Sequence, residues 1–203
     1  MNAAPPLVLA STSRWRQELL AAAGLRCALV PPPADESAVA DPDPRRLATA
    51  RARLKAASVH ELHPTAWVVG ADQVAHLDGA PFGKPTSPDD HRWRLRVLRG
   101  RTHTLTSAVA LLIRDDVIEF QEDTCITFRA DLSDDEIDAY VTCQEGSGCA
   151  GGYRAEAWGA QLIERVVGDW QNVIGLPLYP LITALRARGW RPAFPPPPPR
   201  SAR

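Results

Sequence analysis

Residues 7–20 read LVLASTSRWRQELL, and how this stretch is parsed decides the fold. Leu7-Val8-Leu9-Ala10 is an apolar run of the length of a buried strand, and Leu19, Leu20 and Ala23 then recur at helical spacing. Ser11-Thr12-Ser13 makes the joint, with Ser13 a good N-cap type. A strand entering a helix through small hydroxyl residues leaves backbone N–H groups and the positive end of the helix dipole facing outward. Arg14 and Arg16 fall in the first helical turn, where the dipole alone would favour acids. That placement suits a phosphate in front of the turn. The plainer alternative is a surface turn with solvated arginines.

Outward from this unit, Gly24 stops the helix and Leu25–Val30 reads as a second strand. Three prolines (31–33) force an extended segment, and the loop Ala34-Asp35-Glu36-Ser37 follows. A long helix is expected over Pro44–Leu62, with Leu47, Ala50, Leu54, Ala57 and Val59 as its apolar face and Lys55 near the edge of that face. Ala66–Ala71 has the composition of a strand buried on both faces, ending at Asp72-Gln73, with Val74–Leu77 continuing extended. Asp78-Gly79 is a hairpin signal, and Ser87 caps a helix through Leu98 that closes at Gly100. Thr102–Ile113 and Val117–Arg129 read as long strands joined at Asp115-Asp116, and Ser133–Glu136 as a capping box opening a helix to about Val141. A glycine-rich segment (146–159), a strand over Ala160–Val166 and a helix over Asn172–Arg188, interrupted near Gly175-Leu176-Pro177, complete the pattern. The expectation is a mixed α/β fold: a long twisted sheet flanked by helices, two lobes around a cleft, one domain over residues 1–194. Residues 195–203 read as a disordered proline-rich tail.

The totals exclude several classes. The chain has 203 residues, 45% of them hydrophobic, and a formal net charge of −1, so no bulk field draws it to a nucleic-acid polymer or an anionic membrane. No apolar run approaches the roughly 20 residues of a membrane helix, and the N-terminus lacks a signal-peptide pattern. Cys27, Cys125, Cys143 and Cys149 form no CxxC pair, which points to structural thiols in a reducing, cytoplasmic setting.

Two sets of residues look chemical. Asp72 follows Val68-Val69-Gly70-Ala71 at the expected carboxyl end of a buried strand, where open α/β sheets bind ligands. With Glu36, Lys55 and Lys84 it gives two acids and two bases. Two carboxylates can hold Mg²⁺ with its waters, one can orient or deprotonate an attacking water, and lysines can neutralise phosphate charge. Trp15, Gln73 and Glu156 form the second set. A Trp face attracts a cationic ring, and a carboxylate accepts from the adjacent N1 and N2 donors of guanine. Together they suit 7-methylguanine. His103 opens a strand and is expected to be structural. His60, His63, His76 and His91 show no metal-ligand spacing.

From about Leu7 to Arg188 the chain resembles the Maf family of nucleotide pyrophosphatases. The blocks that carry this are LASTSRWRQELL, DES, RLKA, VVGADQV, FGKP, GRTHTLTSAVAL, SDDEIDAYV and CAGGYRAEAWGAQLIERVVGDWQNVIGLPL, in that order. The resemblance implies a fold like that of inosine triphosphate pyrophosphatases. It also implies hydrolysis of nucleoside triphosphates to the monophosphate and pyrophosphate with a divalent metal (Mg²⁺, Mn²⁺ or Co²⁺). Asp72 and Glu36 then take the catalytic and metal positions, and Ser11, Arg16, Lys55 and Lys84 the phosphate-binding ones. Trp15, Gln73 and Glu156 match the 7-methyl-GTP branch, where the dTTP/UTP branch tends to carry Arg, Thr and Gln. The chain departs from the family pattern at Arg14, often Pro, at Gln17, often a second Arg, and at Trp170-Gln171. Hydrolysis of dTTP and UTP, or a non-catalytic nucleotide sensor of cell division, are the alternatives, and a homodimer is left open.

Overall fold

The computed structural model describes residues 6–192 and 194; the proline-rich tail expected over 195–203 lies outside them. Leu7–Ala10 forms strand β1 and Arg14–Ala22 helix α1, joined as expected through Ser13, whose side chain accepts from Arg16 N. Strand β2 is shorter than expected, Ala28–Val30, paired parallel to β1. Helix α2 spans Pro44–His60, with Asp43 as its cap and Pro in its first turn.

Strand β3, Trp67–Leu77, is the centre of the molecule. It pairs parallel with β1 from Leu7↔Trp67 to Ala10↔Gly70 and antiparallel with β5, Thr102–Ile113, from Trp67↔Ile113 to His76↔Thr104. This corrects the expectation that Asp72 closes a strand. Asp72 lies mid-strand, because β5 keeps β3 extended past the point where β1 turns away. What ends at Gly70 is only the parallel pairing.

The Asp78-Gly79 turn leads to a two-residue strand β4, Ala80–Pro81, with both turn residues at positive φ, 52° and 81°. Helix α3 is Pro88–Leu98, capped by Ser87. Strand β6, Asp116–Phe128, pairs with β5 along its whole length; the turn falls one residue earlier than expected, with Arg114 at φ 55°. Helix α4, Asp134–Thr142, carries the full Ser133–Glu136 capping box. Strand β7 begins only at Ile163 and runs to Val167, because Trp158–Leu162 forms a 3₁₀ turn first. The last helical stretch is two helices, α5 (Trp170–Ile174) and α6 (Leu178–Ala187), broken at Gly175 with φ 115°.

The sheet order is β2-β1-β3-β5-β6-β7, with β4 on the far half of β3. Strand alternation divides the core. Val68, Ala108 and Ala110 face α2, whereas Val69, Val109 and Leu111 face α1 and α6. A third cluster, with Leu95, Phe128, Ile137 and Tyr153 in it, packs α3 and α4 against the far ends of β5 and β6.

The buried face of α2 corrects the sequence reading too. It is Leu47, Ala48, Ala52, Lys55, Ala56 and Val59, so Lys55 lies within the buried face and Ala50 is exposed. The small residues match Gly70. A Cβ there would meet Ala52 O at 2.2 Å and Ala56 N at 2.7 Å, so only glycine lets α2 sit this close to β3.

Candidate active site

The close seating of α2 over Gly70 aims Lys55 at the residue two positions on. Lys55 Nζ lies 2.8 Å from Asp72 Oδ1 and 2.6 Å from Glu36 Oε2. Lys55 is 5% and Asp72 8% exposed, so this pair is withdrawn from water, while the Glu36 side chain is partly open to it. Glu36 reaches it from a 3₁₀ turn, Glu36–Ala38, fixed by the Asp35 side chain accepting from Ser37 N at 2.9 Å. Asp72 Oδ2 is buried with no hydrogen-bond partner. An unpartnered carboxylate oxygen is costly unless something positive or protic completes it.

The turn after β1 borders the same space. Ser11 Oγ accepts from Ser13 N at 3.0 Å. The Arg16 guanidinium turns inward, donating from Nε to Gly175 O at 2.8 Å and from Nη1 to Ala71 O at 2.9 Å. Burial pushes the Arg16 pKa down, and the charges of Asp72 and Glu36 pull the other way. The inward arginine therefore needs no anion to explain it: two backbone carbonyls hold it. Arg14 points outward instead, 3.6 Å from Glu18.

A cavity of about 640 Å³ gathers Ser11, Trp15, Arg16, Glu36, Lys55, Asp72, Gln73, Lys84 and Glu156 on its walls. All nine residues picked from the sequence thus share one pocket, with Lys84 on its exposed rim. Three of them also engage the protein itself. Gln73 Nε2 donates to Ser107 Oγ at 3.2 Å and to Asn172 O at 2.5 Å, so its amide is tied into β5 and α5. The Trp15 ring has two guanidinium groups over it, Arg14 at 4.3 Å and Arg154 at 4.0 Å. Glu156 accepts from Arg154 Nε at 3.0 Å.

Two residues escaped the sequence reading. Arg51 lines the cavity one helical turn before Lys55, with Nη2 donating to Val39 O at 3.2 Å and Nε buried without a partner. Its i, i+4 spacing from Lys55 was the available signal. Arg154, two residues before Glu156, had no such signal, since its partners Trp15 and Glu145 are close only in space. His103 is structural as expected: Nε2 sits 2.7 Å from Tyr153 Oη, against Phe128, and burial pushes its pKa down to about 4.

A family model described as Maf-like protein matches residues 6–188. The chain is 42% identical to a dTTP/UTP pyrophosphatase of Thermus thermophilus, over 93% of this chain and 97% of that one. It is 41% identical to a 7-methyl-GTP pyrophosphatase of Ralstonia nicotianae, over 90% and 95%. It is 40% identical to a nucleoside triphosphate pyrophosphatase of Nitrobacter hamburgensis, over 91% and 94%. With the family model spanning every element from β1 to α6, the chain belongs to the Maf family.

Proposed function

We propose that this chain, a Maf-family nucleoside triphosphate pyrophosphatase, takes 7-methyl-GTP and releases 7-methyl-GMP and pyrophosphate. One observation carries the reading: the Asp72–Lys55–Glu36 cluster and the Trp15/Glu156 pair line a single cavity. Water attacks the α-phosphorus, the new P–O bond forms as the bond to the bridging oxygen breaks, and the leaving group is pyrophosphate. Asp72 orients the water and accepts its proton. Lys55 holds the two carboxylates at one point and adds positive charge beside the phosphates. Lys84 meets the phosphates from the rim, and Ser11 and Arg16 shape the turn they enter. Most of the rate enhancement then comes from positioning and charge stabilisation.

The reading includes a divalent metal at Asp72 and Glu36. The free Asp72 Oδ2 supports it, and so does the convergence of both acids on one ammonium. Among the described residues no group of three or more His, Cys, Asp or Glu could hold a metal. Two carboxylates suit Mg²⁺ or Mn²⁺, and Asp72 and Glu36 would hold it. Bound there, such an ion would supply charge neutralisation at the phosphates.

A second reading, dTTP and UTP as substrates, is favoured by the Thermus thermophilus relative and by the internal engagement of Gln73. Pyrophosphate release from 7-methyl-GTP, GTP, dTTP and UTP, with Mg²⁺ or Mn²⁺, separates the two. The expected result is the highest kcat/KM for 7-methyl-GTP and a loss of at least about a hundredfold in Asp72→Asn. Higher kcat/KM for dTTP or UTP selects the second reading. Binding without turnover sinks both.

A further inference from the structure

We infer that Arg154 competes with the base of the nucleotide: its guanidinium occupies the seat of a cationic base between Trp15 and Glu156, and an incoming base, best one that carries its own positive charge, takes its place. This rests on the reading of Trp15 and Glu156 as the base site. Arg154 Cζ lies 4.0 Å from the Trp15 ring centroid, and Nε donates to Glu156 Oε1 at 3.0 Å. A guanidinium is flat, positive and edged with adjacent N–H donors. The 7-methylguanine ring shares all three properties. Arg154 therefore makes with this chain the two contacts the base would make, the ring face and the carboxylate. Arg14 lies over the same ring at 4.3 Å but on an exposed side chain, free to withdraw into water.

The backbone around Arg154 is fixed, so the side chain alone can yield. Arg154 N donates to Tyr140 Oη at 3.0 Å. Gly159 packs on it so closely that a Cβ there would meet Arg154 O at 2.4 Å. The Glu145 carboxylate accepts from Trp158 N at 3.3 Å and Gly159 N at 3.2 Å, which locks the loop's other side. Glu145 Oε1 also lies 3.8 Å from Arg154 Nη1, so the displaced guanidinium keeps an anion beside it. A base with a charged ring restores the cation on Trp15 and the donors on Glu156. A neutral base restores neither the charge on the ring nor the ion pair, and is disfavoured by the exchange.

The test is steady-state kinetics of the full chain with Mg²⁺ on 7-methyl-GTP, GTP, dTTP and UTP, for wild type, Arg154→Met and Arg154→Lys. Quenching of tryptophan fluorescence by 7-methyl-GMP and GMP accompanies it as a readout independent of turnover. In Arg154→Met the KM for 7-methyl-GTP and for GTP is expected to fall together, roughly three- to tenfold, with kcat unchanged, because one competitor is removed for both bases. Arg154→Lys, which keeps charge but loses the flat face, is expected to show a smaller fall. A KM for 7-methyl-GTP that stays or rises in Arg154→Met overturns the inference, a rise for all four nucleotides being the mark of a loop support. A wild-type enzyme that prefers dTTP or UTP overturns the base reading itself, and shows it before any Arg154 variant is made.

Discussion

Lys55 holds two carboxylates by one ammonium, and removing it leaves Asp72 and Glu36 facing each other without a cation. Breaking a buried pair by deleting one partner is strongly destabilising, but Glu36 is partly open to water, so the expected loss for Lys55→Met is about 1–3 kcal/mol. Mg²⁺ should raise the Tm of Lys55→Met more than that of wild type, measured by scanning calorimetry with and without chelator, since the ion would then be the only cation between the acids. Equal shifts would place the metal elsewhere. His103 supplies a pH test. Its imidazole stays neutral in the core until about 4, whereas the unfolded chain protonates it at 6.5. Stability is therefore complete above 6.5 and lost as pH falls towards 4, by about 3 kcal/mol at most. Tm followed between pH 7 and 4 should decline less steeply in His103→Gln, which keeps an acceptor for Tyr153. Residue types were legible in the sequence and their engagements were not. Asp72, Glu36 and Lys84 could be picked as chemistry-bearing, but nothing local to Arg154 announces a tryptophan 139 positions away that it covers.

At the level of elements, the contact of α2 with β3 decides where the ammonium sits. Gly70→Ala would drive a methyl group into Ala52 O and Ala56 N, backbone atoms that cannot rotate away. The expected cost is about 1–3 kcal/mol, with Lys55 lifted from Asp72 and kcat falling alongside Tm. Loss of stability with full kcat would show that the placement of α2 tolerates the shift. Helices α1, α3 and α4 were readable because their caps, Ser13, Ser87 and Ser133, are local chemistry. The buried face of α2 was misread because alanines dominate it, and a short side chain gives periodicity little contrast. The extent of β3 past Asp72 was hidden for another reason: the partner that keeps it extended, β5, is a non-local choice. The delayed start of β7 and the brevity of β2 are likewise set by what they pair with.

Across the whole molecule, the mixed sheet and the shared cavity agree with the expected fold, and two of the blocks that carry the chemistry meet because β1 and β3 are neighbouring strands. The turn after β1 and the acid of β3 adjoin because the two strands run parallel in register up to Ala10↔Gly70. Arg16 adds a constraint of another kind. Its one guanidinium grips Ala71 O, 55 positions on, and Gly175 O, 159 positions on. On a ribosome, the pocket therefore cannot be completed until the segment around residue 175 has emerged, some 160 residues after the arginine itself. A chain released at residue 169 should hold much of its sheet yet turn over no nucleotide, as circular dichroism and pyrophosphate release together would record. A nascent copy short of that segment would carry the acids without the finished pocket, and would hydrolyse no nucleotide.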